Sequence, residues 1–374
     1  MSGGVSSESA AEAPGDSSVA VIVPTYREVE NLPALISRLD QVRTAHALDL
    51  DLLIVDDDSR DGTKELVERM ALPWVHLIVR STDRGLSQAV LEGLRRASAT
   101  TLVVMDADLS HPPEKIVEML AALKQGADFV VGSRFVTGGS TDDDWGLLRW
   151  LNSRVATILA SPLVPLKDPM SGFFALRRAT FEGGDPFNPI GYKIGLELVL
   201  KCRCQMVREI PIHFEDRKLG KSKLSLREQL RYIEHIRRLY NYKFGNFSHF
   251  AQFAVVGFSG AILNLGLLTA FVASNMPMRG AVALAILLSM LWNFALNRRF
   301  TFSYARHEPV AKQLFRFIGA SSAGAVVNYA VTVGLLRTVA LPQLAAFGGI
   351  LAGFALNFAA SRYWVFRQRH VQRP

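Results

Sequence analysis

Two kinds of hydrophobic pattern divide the chain. In the first two thirds, apolar runs are short: Ala20–Val23 (AVIV), Leu52–Val55 (LLIV), Leu102–Met105 (LVVM) and Phe129–Val131 (FVV). Helix-like stretches separate them, including NLPALISRLD, TKELVERM and SQAVLEGLRRA. Short β-rich runs alternating with helices predict a mostly parallel sheet covered on both faces. In the last third the runs are long. No Asp, Glu, Lys or Arg occurs in Ser248–Met278, Gly280–Asn297, Phe317–Leu336 or Thr338–Ser361. A membrane-spanning helix needs roughly 20 mostly apolar residues, so helices are predicted near 250–272, 280–297, 316–337 and 343–361. The runs lack amphipathic periodicity and follow one another in series, which separates them from buried helices of a soluble bundle.

The apolar third repeats itself at an offset of 64 residues: Phe253, Gly260, Ala261 and Asn264 align with Phe317, Gly324, Ala325 and Asn328, and NFALNRRFTF from Asn293 aligns with NFAASRYWVF from Asn357. Two helices per repeat give both repeats the same orientation, a parallel duplication. Gly349 and Gly353 form a small-xxx-small pair that lets helices approach closely. Basic residues set the expected orientation. Arg231, Arg237, Arg238 and Lys243 precede the first span, Arg298, Arg299, Arg306, Lys312 and Arg316 follow the second, and Arg362, Arg367 and Arg369 follow the fourth. The opposite side carries only Arg279 and Arg337. Both termini and the first two thirds of the chain are therefore expected on the cytoplasmic side. The segment LSLREQLRYIEHIRRLYNYKF (224–244) places Leu226, Leu230, Ile233 and Ile236 near helical spacing. It reads equally as an interfacial helix and as a helix on the soluble domain's surface.

The 374 residues accommodate about two domains. Residues 1–17 are small, polar and acidic, without the basic start and apolar core of a signal peptide, and are expected to be a disordered tail. The expected boundaries are 18–223 for the soluble domain, 224–247 for the linking helix, 248–364 for the membrane domain and 365–374 for a cytoplasmic tail. Cys202 and Cys204 have no further Cys or suitably spaced His nearby and read as reduced thiols. The net charge of +8 fits nucleic acid or an anionic membrane surface. The basic residues cluster at membrane flanks without aromatic platforms, so a lipid bilayer is the expected partner and nucleic acid is not.

Ligands of such sheets bind beyond the carboxyl ends of the strands. There the chain places PTYRE, DDDSRDGT, DAD and GSR, one after each predicted strand. Residues i and i+2 of an extended segment project to one side, so Asp106 and Asp108 are expected to face a shared point. Two ionised carboxylates repel unless a cation lies between them or their proton affinity rises. Mg²⁺ or Mn²⁺ accepts such oxygens together with phosphate oxygens. A DxD alone is equally a solvated acidic loop; DDDSRDGT at the neighbouring strand end favours the metal. GxxxxGK[ST], GxGxxG after the first strand and GxSxG are all missing, which argues against a P-loop kinase, a dinucleotide fold and a Ser hydrolase.

Taken in order, VIVPTYREVENL, VDDDSRDGT, DADLSHPPE, VVGSRF, DPMSGFFALRR and EIPIHFEDRKLGKSKL resemble the serial motifs of family 2 glycosyltransferases, and within them the polyprenyl- or dolichol-phosphate mannosyltransferases and their glucosyl relatives. The likeness runs from about Val19 to Leu230, and the NF…NRRFTF region resembles GtrA-like four-helix membrane domains. It implies an α/β GT-A domain followed by an all-α transmembrane domain, and an inverting, metal-dependent enzyme moving mannose from GDP-mannose to dolichyl or polyprenyl phosphate. The rivals are the same reaction with UDP-glucose or another nucleotide sugar, and a lipid-carrier translocator with a regulatory soluble part. By matching motif, Pro24, Tyr26, Glu28 and Asp57 would hold the nucleoside, Asp56 would support that turn, Asp58 takes no role, and Asp106 and Asp108 would bind the metal with Ser110 nearby. Some relatives carry Gln at the place of Ser110. An acceptor phosphate is already ionised and needs cations rather than a base. Arg134, Arg149 with Ser153, and Arg217 with Lys218, Lys221 and Lys223 are the expected contacts, since an Arg fork makes two bonds at once. Asp168 orients the sugar or a loop, or forms an Asx turn. Glu197 is a lone acid on an apolar helix face.

Overall fold

The computed structural model describes residues 18–142, 147–215, 226–338 and 341–367. The chain divides into two units at Lys243–Phe244. The first unit contains β1 (Val19–Thr25), α1 (Leu32–Ala45), β2 (Leu50–Asp56), α2 (Thr63–Met70), β3 (Val75–Val79), α3 (Leu86–Arg96), β4 (Thr101–Val104) and α4 (Ile116–Lys124). It continues through β5 (Phe129–Ser133), β6 (Ser140–Thr141), α5 (Leu147–Ala160), β7 (Phe174–Arg177), α6 (Arg178–Glu182), α7 (Ile194–Lys201), β8 (Val207–Pro211), β9 (His213–Phe214) and α8 (Leu226–Phe244).

Seven strands form one sheet in the order β3-β2-β1-β4-β7-β5-β8. All neighbours are parallel except β7, which runs antiparallel between β4 and β5. The four strands predicted from apolar runs are the central β1, β2, β4 and β5. All seven residues of β1 are buried, because helices cover both faces there. The edge strands β3 and β8 escaped the pattern for a physical reason. Each is only partly covered, so its sequence is mixed (VHLIV, VREIP). In α1, Leu32, Leu35, Ile36, Leu39 and Val42 form one buried stripe, each contributing about 1.5–3 kcal/mol on full burial. β6 and β9 make a separate parallel pair. α8 buries Tyr232, His235, Ile236 and Leu239 in this unit, while Leu230 and Ile233 stay exposed.

The second unit contains α9 (Asn246–Ala273), α10 (Met278–Leu296), α11 (Val310–Leu335) and α12 (Pro342–Ala360). All four helices are long and apolar enough to cross a membrane. The duplication read in the sequence is also structural. A π-helical turn follows α10 at Asn297–Thr301 and another follows α12 at Ser361–Val365. The equivalent rings Phe302 and Phe366 stack on each other at 4.9 Å and 18°. In both repeats a glycine faces an asparagine of the partner helix: a Cβ at Gly260 would stand 2.1 Å from Asn293 Oδ1, and one at Gly324 2.2 Å from Asn357 Oδ1.

Candidate functional site

A cavity of about 1200 Å³ opens beyond the carboxyl ends of the strands. Pro24 at the end of β1, Tyr26 and Glu28 beyond it, Asp57 after β2, Asp106 and Asp108 after β4, Arg134 after β5 and Ser153 on α5 all line it. Asp56 stands behind the wall. It is 4% exposed and accepts bonds from Thr25 Oγ1 (3.0 Å) and the Ser59 amide (2.8 Å), with Ser59 Oγ as a further partner. Ser59 Oγ in turn accepts the Arg27 amide at 2.9 Å, so Asp56 ties the loops after β1 and β2 together. Asp57 accepts from Arg80 Nη1 at 2.5 Å and from the Gly85 amide at 2.7 Å, which fixes the start of α3 beside the cavity. Asp58 holds Arg60 and Arg84, and Arg60 holds its carboxyl below the usual carboxylate range.

β4 stops at Val104, and the chain turns through Leu109 at φ 62°. Asp108 is 7% exposed, and its Oδ1 accepts the Ser110 amide (3.2 Å) and hydroxyl (2.5 Å). Ser110 thus orients a carboxylate from behind rather than lining the cavity. Asp106 is held through its backbone: its amide donates to His111 Nδ1 at 3.1 Å. His111 is buried, stacks on Phe173 at 5.3 Å and meets the edge of Phe214 at 5.5 Å. Burial pushes its pKa down against the pull of Asp106 and Asp108, so the neutral imidazole serves as the acceptor. Gly172 explains part of the DPMSGFF motif. A Cβ there would stand 3.1 Å from Asp106 Oδ2, crowding the carboxylate. Among the described residues no group of three or more His, Cys, Asp or Glu side chains forms a metal cage. Two carboxylates on one cavity suit a cation that draws its other ligands from phosphate and water.

The rest of that motif holds Arg134. Asp168 is fully buried and accepts from the Arg134 amide (3.1 Å), Nε (2.7 Å) and Nη2 (2.8 Å). Asp168 and Lys167 in turn donate their amides to Glu209 at 3.0 and 2.9 Å. Asp168 is therefore a partner of Arg134. Glu197 is buried away from the cavity wall. Arg149 lies on α5, while Arg217, Lys218, Lys221 and Lys223 fall outside the described residues. Sequence reasoning missed Lys193, which lines the cavity and donates through Nζ to the Met170 carbonyl. It also missed the start of α3, where Ser87 lines the cavity. The signals were present as GYK and RGLS, yet both are too short to read without their neighbours.

Residues 20–184 match the glycosyl transferase family 2 model, and residues 252–366 match the GtrA/DPMS transmembrane domain. A dolichol-phosphate mannosyltransferase of Pyrococcus furiosus is 39% identical over 350 residues, covering 92% of this chain and 98% of its own. That of Saccharomyces cerevisiae is 40% identical over 235 residues, covering 60% and 88%. The polyprenol monophosphomannose synthase of Mycolicibacterium smegmatis is 38% identical over 218 residues, covering 55% and 80%. A likeness along nearly the full length of the first relative, on a cavity joining strand-end carboxylates to a held arginine, makes this chain a family 2 glycosyltransferase. It belongs to the dolichol-phosphate mannosyltransferase family, in the form that carries a C-terminal GtrA/DPMS transmembrane domain.

Proposed function

We propose that the enzyme transfers mannose from GDP-mannose to dolichyl or polyprenyl phosphate, with inversion, at the cytosolic face of a membrane. The observation that carries this is the cavity itself. One wall offers Asp106 and Asp108; Arg134 and Lys193 line the same space. Such a site suits two anions, a nucleoside diphosphate sugar and a phosphate monoester. Pro24, Tyr26, Glu28 and Asp57 hold the nucleoside, and Asp106 and Asp108 would hold Mg²⁺ or Mn²⁺, which would neutralise charge on the leaving diphosphate. Ser110 fixes the Asp108 rotamer, His111 fixes the Asp106 backbone, and Gly172 keeps room beside the Asp106 carboxylate.

The acceptor needs no general base, because the second pKa of a phosphate monoester lies near about 6. Arg134, Ser153 and Lys193 orient it, joined by Arg149 and the Arg217–Lys218 segment. Asp168 keeps the Arg134 guanidinium at one angle. The sugar carbon gains oxocarbenium character as the bond to phosphate lengthens, and attack from the opposite face inverts it. In this reading residues 18–223 carry the transfer chemistry, 224–247 link, and 248–364 anchor the enzyme in the membrane. The basic loop after α10 and the basic C-terminus lie in the cytosol, and the exposed Leu230 and Ile233 of α8 rest at the lipid interface.

The test is a partition assay. Membranes containing the protein receive polyprenyl phosphate with radiolabelled GDP-mannose, UDP-glucose or UDP-N-acetylglucosamine. Label from GDP-mannose should enter the lipid phase. Label from UDP-glucose alone would overturn the sugar assignment, and label from none would overturn lipid-phosphate glycosylation.

A further inference from the structure

The segment Asp185–Lys193 has no strand or helix of its own, yet its last residues, Pro189 to Lys193, line the cavity. A buried polar cluster holds it from behind. Glu197 of α7 accepts the Asn188 amide at 2.8 Å and Lys201 Nζ at 2.5 Å. His235 of α8 accepts the Ile190 amide through Nδ1 at 3.3 Å and stands 3.8 Å from Glu197 Oε2. Both Glu197 and His235 are 1% exposed. Pro189, between the two held amides, has none to offer. Lys201 Nζ also donates to the Pro186 carbonyl at 2.7 Å, and the Asp185 amide donates to the Lys201 carbonyl at 3.1 Å. Gly191, at φ 79°, then turns the chain against α8, where a Cβ would meet Arg231 and Glu228 at 3.6 Å.

Apolar side chains of the same volume would fill this space at lower desolvation cost. Glu197 Oε2 and His235 Nε2 even lack hydrogen bonds among the described residues. What the cluster supplies, and apolar packing does not, is fixed acceptors for two amides of an otherwise unladdered segment. We propose that Glu197 and His235 are positioning residues. By fixing the amides of Asn188 and Ile190, they set Tyr192 and Lys193 at the wall where the anionic substrates bind. This rests on the transfer reading above. Burial pushes the His235 pKa down, outweighing Glu197, with Lys201 and Arg238 pushing the same way as burial. The ring is therefore neutral at neutral pH, and the Ile190 amide contact makes Nδ1 its acceptor.

The test uses the full chain in detergent. His235→Leu removes the acceptor with little loss of volume, whereas His235→Asn keeps an oxygen near the place of Nδ1. Hydrogen exchange is followed in a peptide spanning 186–193, beside turnover and KM for donor and acceptor. Losing a neutral hydrogen bond corresponds to up to about tenfold. We expect H235L to speed exchange of that peptide and to lower kcat/KM by about tenfold, with exchange in β1 and β4 unchanged, and H235N to stay within about threefold of wild type. Wild-type exchange in H235L, faster exchange with unaltered turnover, or equal damage in H235L and H235N would each overturn the proposal. If H235L does not fold, Glu197→Leu takes its place. It removes the acceptor of the Asn188 amide, so exchange should rise and turnover fall together; wild-type exchange, or wild-type turnover beside faster exchange, overturns the proposal again. A wild-type protein that labels no lipid with any donor sinks the transfer reading instead, and leaves the exchange result to judge the amide contacts.

Discussion

Replacing Asp168 with Asn removes one charge from a buried ion pair. The Asp168 side chain is 0% exposed and the Arg134 side chain 10%. Asp168 accepts three bonds from Arg134, two of them from the guanidinium at 2.7 and 2.8 Å. In Asp168→Asn one oxygen still accepts, but an NH₂ group now faces an Arg donor. Breaking a fully buried pair costs about 3–5 kcal/mol. The guanidinium keeps an edge on the cavity, so the low end applies, about 3 kcal/mol. For a unit of this size each kcal/mol lowers the midpoint by about 2–4 °C, giving a drop of roughly 6–12 °C. Thermal unfolding of the detergent-solubilised protein, followed by intrinsic fluorescence, reads it directly. Turnover measured well below the midpoint should fall too, because Arg134 loses its fixed angle. The double variant Arg134→Gln, Asp168→Asn leaves neither charge unpaired, so its loss should be smaller than the sum of the single losses by at least about 1.5 kcal/mol. A midpoint within about 1 °C of wild type, or strictly additive losses, would refute the reasoning.

Four further outcomes are expected. Asp108→Asn should lower metal-supported turnover at least about tenfold and weaken Mn²⁺ binding by calorimetry, and full wild-type turnover in EDTA would sink the metal assignment. A cysteine at position 274 should react with an impermeant reagent from outside whereas one at position 303 should not, and reversed labelling would overturn the orientation. Gly260→Ala should destabilise the membrane unit by about 1–3 kcal/mol in detergent, since its Cβ would meet Asn293 Oδ1 at 2.1 Å; adding Asn293→Ala should recover most of that, and a Gly260→Ala protein as stable as wild type would refute the close packing. Buried His235 has a folded pKa below its ordinary 6.5, so the unfolded chain takes up the proton first and stability falls as pH drops below about 6.5. Midpoints measured between about pH 5 and 7 should fall less steeply in His235→Asn than in wild type, and identical slopes would contradict the assignment.

The sequence by itself determined the elements whose surroundings are uniform. β1, β2, β4 and β5 lie under helices on both faces, so burial writes them as unbroken apolar runs. The four long helices were legible because a bilayer demands length and the absence of charge. The duplication was legible because Phe253, Gly260 and Asn293 recur as Phe317, Gly324 and Asn357. The strand-end acids were legible as types, since little else gathers Asp56, Asp57, Asp106 and Asp108 at the ends of apolar runs. Tertiary structure decided what each polar group does. It set β7 antiparallel between β4 and β5, and it placed β3 and β8 at edges where partial cover blurs the pattern. It gave Asp168 to Arg134 across 34 residues and Ile190 to His235 across 45. It moved Asp56, Ser110 and Glu197 behind the wall, and brought Lys193 onto it. The reason is physical: hydrophobic burial is a property of a run and is written locally. A hydrogen bond needs its partner within about 3 Å, and that partner is supplied by the fold.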